Sequence, residues 1–402
     1  PNSKSNYLIK FLSNFWGALQ TDLNSLLTFL CFFDKMILQR GNFMKSFNIG
    51  WGLTNLCNMN CQFCYSKQVR DKINECTIND WKKFIDENSE SINSINYGTG
   101  ENSIMDHFFH FVDYVRKNYP HIRQSLTTNG YISEKISNNL EFKNIFKNCI
   151  DEVDVSVDFY DEKKHSEFRG QPNAYKWALK TLSYCVEYNK LTTIVFVGYE
   201  DTLQKENIDG LFSLAKKYNA LLRMNIYRPV SKIPEINQRF ILSYKTLISS
   251  LKYINSKYEI VALSDALLGN IFTDNSNIKD NTGINSIRIL PDGSICPSTY
   301  LIEEKYRQTY NIKDYKVLDK INFKEFIEPI IPDECKGCKY EKSCKGGVFD
   351  RRILWYGTLS QRDPYCPIRM NDEFPKEKFK TSKIGRVSVH DDYLPTLFFK
   401  NT

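Results

Sequence analysis

Three cysteines, Cys57, Cys61 and Cys64, stand in the run Leu56-Cys57-Asn58-Met59-Asn60-Cys61-Gln62-Phe63-Cys64-Tyr65 with the spacing C-x3-C-x2-C. Three thiolates so close in sequence can ligate an iron–sulfur core, and a four-iron core held by three leaves one iron open to a substrate or cofactor. The alternatives are a zinc site or three buried thiols; structural zinc wants four ligands, and no fourth stands beside the triad. A second group lies downstream, where Cys335, Cys338 and Cys344 follow C-x2-C-x5-C and Cys366 comes 22 positions later. Four thiolates on glycine-rich loops make a closed site, for which zinc and a four-iron cluster are both chemically reasonable. The chain holds 12 cysteines and no secretory signal, which points to thiolate or metal chemistry in a reducing cytoplasm and away from a disulfide framework.

Positioning such thiols is the task of the elements around them. Short β-type runs at Phe47 to Thr54, Ser94 to Tyr97, Ser125 to Thr128, Glu152 to Phe159, Thr192 to Gly198 and Leu221 to Ile226 alternate with helical patterns near 78–90, 103–118, 133–148, 171–188 and 204–218. Six βα repeats at these spacings predict an α/β fold with parallel strands and right-handed crossovers. The first cysteine cluster then falls just after the first strand, at the end of the sheet where parallel barrels gather their chemistry. A further helix (Leu242 to Tyr258) ends the repeat, and near residue 280 the pattern changes to short runs, the turn Pro291-Asp292-Gly293 and cysteine-rich loops. The expected organisation is an N-terminal helical segment (1–45), a barrel (46–260), a small cysteine-rich domain (280–370) and a C-terminal tail (371–402).

The first cluster resembles the signature of the radical S-adenosylmethionine (SAM) enzymes, C-x3-C-x-aromatic-C, with Phe63 at the aromatic position. That resemblance implies a partial (β/α)6 barrel of TIM-like type and a four-iron cluster whose open iron is chelated by SAM. One electron, from a donor such as flavodoxin or ferredoxin, then splits the sulfonium to a 5′-deoxyadenosyl radical that abstracts hydrogen from substrate. It also assigns cofactor contacts. The family's Gly-Gly-Glu run corresponds to Gly98-Thr99-Gly100-Glu101, with Thr99 replacing the first glycine. Ser156 and Asp158 are similar to its ribose and carboxylate contacts, Arg169 to the arginine that pairs with the methionyl carboxylate, Asn129 to a residue at the same mouth, and Val197 to an adenine contact.

The second cluster resembles the SPASM extension of peptide-modifying radical enzymes. In that pattern Cys335, Cys338, Cys344 and Cys366 correspond to the ligands of one auxiliary cluster, while Val348 stands where another auxiliary cluster would take a thiolate. Two four-iron clusters in total are therefore expected. Cys296, left over from the depleted set, is either a buried thiol or a hydrogen donor to a substrate radical, as in related peptide epimerases; Cys31, Cys76, Cys149 and Cys185 are assigned to packing. The implied substrate is a ribosomally made precursor peptide, modified by epimerisation, a thioether or carbon–carbon crosslink, or oxidation. Competing readings are a small-molecule substrate (sugar, nucleoside or amino acid) and a non-enzymatic iron–sulfur or zinc module.

Composition narrows this further. Hydrophobic residues at 42% and charged residues at 25% are those of a folding chain, and no apolar run is long enough to span a membrane. The net charge of +7, without a long basic block, gives no reason to expect a nucleic-acid partner.

Overall fold

The computed structural model describes residues 46–401 except 71–73, 275–277, 308–309, 324–330, 383–387 and 392–393. The helical segment expected over 1–45, with Cys31, lies outside the described residues. Strands β1 (Phe47–Trp51), β2 (Ile92–Tyr97), β3 (Arg123–Thr128), β4 (Glu152–Ser156), β5 (Leu191–Gly198) and β6 (Leu221–Ile226) pair in sequence order, each parallel to the last. The crossovers carry α1 (Ile78–Asn88), α2 (Asp106–Asn118), α3 (Ile132–Asn138), α4 (Leu140–Cys149), α5 (Glu162–Arg169), α6 (Ala174–Glu187) and α7 (Lys205–Lys217). This is the six-fold βα repeat that the sequence pattern predicts.

Residue alternation explains the layering. Ile95, Tyr97, Leu126, Val153, Val155, Ile194, Phe196, Leu222 and Met224 belong to one buried apolar core with the helices. The intervening positions are polar: Asn96, Ser125, Asp154 and Arg223 are all buried on the other face. There they bond to one another, Asn96 Nδ2 donating to Ser125 Oγ at 3.1 Å and Thr127 Oγ1 to Asp154 Oδ2 at 3.2 Å. Asn96, Ser125 and Asp154 are tolerated there because they are hydrogen-bonded.

Local sequence sets the helix limits. Thr77 and Asp80 form a reciprocal capping box at the start of α1. The single helix expected over 133–148 is split because Asn139 leaves helical geometry and caps α4, accepting from Phe142 N at 3.1 Å. Helix α5, which was not expected, starts at an Asp161 cap and stops at Gly170 in the left-handed region (φ 64°).

After α8 (Pro234–Phe240) and α9 (Tyr244–Lys257) come β7 (Glu259–Leu263), α10 (Leu268–Phe272), β8 (Ser286–Ile289), β9 (Ile295–Cys296), α11 (Glu341–Cys344), α12 (Phe349–Tyr356) and β10 (Leu397–Lys400). The described strands form one sheet in the order β7-β10-β6-β5-β4-β3-β2-β1-β8-β9. The stretch beginning near 280 thus contributes β8, parallel to β1, and the stretch after 371 contributes β10, antiparallel to both β6 and β7. The tail also reaches the polar face of the sheet, where Ser388 Oγ (2.9 Å) and Val389 N (3.0 Å) donate to Glu152 Oε2 and His390 Nδ1 lies 2.9 Å from Asp154 Oδ2. Among the described residues, no helix is long and apolar enough to cross a membrane.

Candidate active site

The loop after β1 carries the cysteine triad, and its path is fixed by backbone capture. Glu75 accepts from Thr54 Oγ1 (2.9 Å) and Asn55 N (2.6 Å), and Glu101 N donates to Leu56 O (2.8 Å). Gly100 makes this approach possible: it sits at φ 62°, and a Cβ there would come within 2.4 Å of Leu56 O. Cys57, Cys61 and Cys64 share one cavity wall with Phe63, Gly98, Thr99, Gly100, Asn129, Ser156, Arg169 and Val197. The cavity lies at the C-terminal ends of the parallel strands, where the sequence places it. A larger groove of about 1210 Å³, beyond Phe168 and Phe240, contains none of the cysteines.

Each thiol has a polar neighbour. Arg70 Nη2 lies 3.2 Å from Cys64 Sγ, Asn129 Nδ2 lies 3.8 Å from Cys57 Sγ, and Cys61 Sγ lies 3.7 Å from the Arg169 carbonyl. Burial pushes the Cys57 thiol up, against the pull of the Arg70 charge, and pushes Cys61 up to about 11. Buried thiols of this kind ionise readily only against positive charge, which metal supplies. A core of cationic iron fits that requirement, and the guanidinium groups of Arg70 and Arg169 stand ready to offset the thiolate charge. Among the described residues, no three His, Cys, Asp or Glu side chains stand close enough together to hold a single metal ion.

Two expected contacts lie behind the wall and not on it. Glu101, fully buried, accepts from Asn129 N (2.7 Å), Thr128 Oγ1 (2.9 Å) and Ser103 Oγ (2.6 Å), so it ties the β2 and β3 loops together. Asp158, also fully buried, accepts from Arg169 Nε (2.6 Å) and Val197 N (3.0 Å) and thereby orients Arg169. Arg169 in turn lies 5.1 Å over the Phe63 ring, and Phe63 stacks on Phe168 at 4.5 Å.

Thr99 has φ 90°, a region that β-branched residues rarely enter, and its hydroxyl is 3.2 Å from Tyr65 OH and bonded by Arg288 Nη2. Cys296 does not reach the cavity. As the second residue of β9 it is fully buried against Leu290 and Ile302, a cluster on which the wall residue Tyr65 packs, and burial pushes its thiol up to about 12. This placement is that of the buried-thiol alternative.

The second set lies in and around α11, before α12 and after it, away from the triad. Cys335, Cys338, Cys344 and Cys366 line one small pocket with Tyr340, Arg362 and Phe374. Lys345, Gly346 and Gly347 follow Cys344 at φ 51°, 91° and 101°, a turn that brings Gly347 so near Asp363 that a Cβ would meet it at 2.3 Å. Asp363, bound by Arg351, directs the Cys366 backbone, whose N–H donates to Asp363 O at 3.0 Å. Burial pushes Cys335 up to about 11, with Arg362 acting in the opposite sense. Four thiols with a neighbouring guanidinium fit a four-ligand cluster. Val348 caps α12 from a fully buried position.

Residues 51–212 match the family model described as the Radical SAM superfamily. That stretch, from the end of β1 into α7, is similar to a radical SAM domain. Over 337 residues the chain is 21% identical to mycofactocin maturase MftC of Mycobacterium ulcerans (strain Agy99), covering 79% of this chain and 86% of that protein. Over 203 residues it is 24% identical to the antilisterial bacteriocin subtilosin biosynthesis protein AlbA of Bacillus subtilis (strain 168), 47% of this chain and 43% of that one. Its fold is similar to that of Streptococcus suis SuiB bound to S-adenosylmethionine, with a TM-score of 0.62 at 16% identity over 90% of this chain and 87% of SuiB. SuiB bound to its precursor peptide SuiA gives the same TM-score at 14% identity, over 86% and 82%.

The cavity has wall residues that sequence reasoning missed: Tyr65, Arg70, Arg223, Asn225, Arg228, Arg288, Tyr300 and His390. Those on β6 and β8 carry a readable signal, because polar residues alternating with apolar ones along a parallel strand face a polar lumen. His390 carries none, since it arrives from more than 150 residues beyond β6.

Proposed function

We propose that this protein is a radical SAM enzyme acting on a ribosomally made peptide, with Cys57, Cys61 and Cys64 holding the reactive four-iron cluster and Cys335, Cys338, Cys344 and Cys366 an auxiliary one. The observation that carries this reading is the convergence of the triad with Gly98, Gly100, Asn129, Ser156, Arg169 and Val197 on one cavity. When bound and reduced, the cluster would supply the one electron that splits the sulfonium of SAM into methionine and a 5′-deoxyadenosyl radical.

This chain's residues do the holding and shielding. Asp158 fixes the Arg169 guanidinium at the cavity wall, where its remaining donors suit a carboxylate. Carbonyls of the Gly98–Gly100 turn suit an ammonium group, and Phe63, Val197 and Tyr227 make the wall around them apolar. Closing water out matters because a carbon radical takes hydrogen from whatever reaches it. A peptide as substrate is supported by what the relatives' names state: MftC is a mycofactocin maturase, AlbA a bacteriocin biosynthesis protein, and SuiB is bound to a precursor peptide. The electron comes from a flavodoxin- or ferredoxin-type donor in this reading.

The test is the triple variant Cys57→Ala, Cys61→Ala, Cys64→Ala, reconstituted anaerobically. Reductive SAM cleavage should vanish while about four irons per chain remain at the second site. Undiminished 5′-deoxyadenosine formation would remove the assignment.

A further inference from the structure

On the radical SAM reading above, we propose that Arg223, with Asn225 beside it, forms a subsite that binds a carboxylate of the substrate. Strand β6 turns Leu222, Met224 and Ile226 into the apolar core and Arg223 and Asn225 toward the cavity. Arg223 is only 1% exposed, yet its Nε and Nη1 make no hydrogen bond. Its carboxylate neighbour explains why. Asp154 Oδ2 stands 3.3 Å from Nη1 but already accepts from Thr127 Oγ1 (3.2 Å) and lies 2.9 Å from His390 Nδ1, so it offsets the charge of Arg223 without filling the guanidinium fork.

A buried charged donor left unmet in this way is costly, and native interiors keep such groups where a ligand completes them. Nε and Nη1 lie on different edges of the guanidinium, and each forms with Nη2 a parallel pair of N–H donors that matches the two oxygens of a carboxylate. Asn225, two residues along the same strand face, has an amide oxygen that also makes no hydrogen bond, so this amide is free to present either its oxygen or its NH2 group to the same ligand. Arg228 and Arg288 bring two further guanidinium groups to the wall, which keeps the potential there positive with Asp154 ionised. Arg169 and Arg228 differ from Arg223 in having well-formed carboxylate bonds, to Asp158 at 2.6 Å and to Asp350 at 2.9 Å.

The carboxylate can come from an acidic side chain of the substrate or from a chain terminus, and the experiment separates these from the methionyl carboxylate of SAM. Anaerobically reconstituted full-length protein with SAM is titrated with three probes: acetyl-Gly-Asp-Gly-amide, acetyl-Gly-Asn-Gly-amide and acetyl-Gly-Gly-Gly with a free carboxyl end. We expect one of the two carboxylate peptides to bind at least tenfold more tightly than the Asn peptide; an Asp preference assigns the site to a side chain, a free-terminus preference to a chain end. Arg223→Lys keeps the charge opposite Asp154 but removes the fork, and should abolish the preference with SAM affinity within twofold of the parent. Asn225→Leu, at a half-buried position, should weaken the preference several-fold and serves if the Lys variant does not fold. Equal affinity for the three peptides, no binding of any, or a preference surviving in both variants overturns the proposal. A tenfold loss of SAM affinity in Arg223→Lys overturns it in favour of the cofactor carboxylate. SAM cleavage by the parent protein, measured alongside, reports on the radical SAM reading separately.

Discussion

Thr99 and Gly52 illustrate how tightly single residues are set against one another at the mouth of the barrel. A Cβ placed on Gly52 would lie 2.5 Å from Thr99 Cβ and 2.8 Å from its Oγ1, and Thr99 itself is held at φ 90° by its bonds to Tyr65 and Arg288. Gly52→Ala should therefore cost about 1–3 kcal/mol through overpacking, measured by denaturant unfolding. Thr99→Gly removes the opposing side chain and the positive-φ strain, so the double variant should recover most of that loss. Additive losses in the double variant would show that the two residues do not compete for space. Cys296 gives a contrasting case. Its thiol is packed against Leu290 and Ile302, so Cys296→Ala should lose about 1 kcal/mol of stability and keep its peptide chemistry. Loss of deuterium incorporation from heavy water into product, with SAM cleavage intact, would restore the hydrogen-donor role.

At the scale of elements, the segment 388–391 behaves as a plug in the polar lumen. His390 is buried opposite Asp154, Arg223 and Arg288; burial first, and then the Arg223 charge, drive its imidazole down to about 4. A group whose folded value is depressed binds fewer protons when folded, so its stabilisation is complete above the unfolded value near 6.5 and is lost as pH falls toward 4. The full difference amounts to about 3 kcal/mol. Unfolding curves for the parent should fall more steeply than those of His390→Gln between pH 6.5 and 4; parallel curves would count against the plug. The plug also marks the limit of what the sequence discloses. The strands of the repeat were legible because apolar pairs such as Val153 and Val155, Ile194 and Phe196, and Leu222 and Met224 alternate at a strand's period between helical runs, and the triad was legible because its spacing is local. Strand β10, read from sequence only as part of a tail, was not, because Leu397-Phe398-Phe399 acquires its strand character by pairing with β6 and β7. Likewise Glu101 and Asp158 matched a contact pattern by position, while their burial behind the wall depends on which loops they tie.

For the whole molecule, the two cysteine sets predict an iron count. On the proposed function each thiolate-held cubane contributes four irons, and the SPASM resemblance puts Val348 where a third cluster would take a ligand, so reconstituted protein should hold about eight irons per chain. Values near twelve would require ligands outside these two sets, and zinc at the second site would remove the auxiliary cluster. The sheet imposes a different condition, on the order in which the protein is made. Leu397 lies opposite Met224 on one side and Leu263 on the other. A growing chain that has already emerged through β6 must wait for more than 150 further residues before that edge is covered, since distant pairings carry a closure cost that no early contact repays. During synthesis the half-built barrel exposes the hydrogen-bonding edge of β6 together with the lumen arginine it carries, an invitation to chaperones and to neighbouring copies alike.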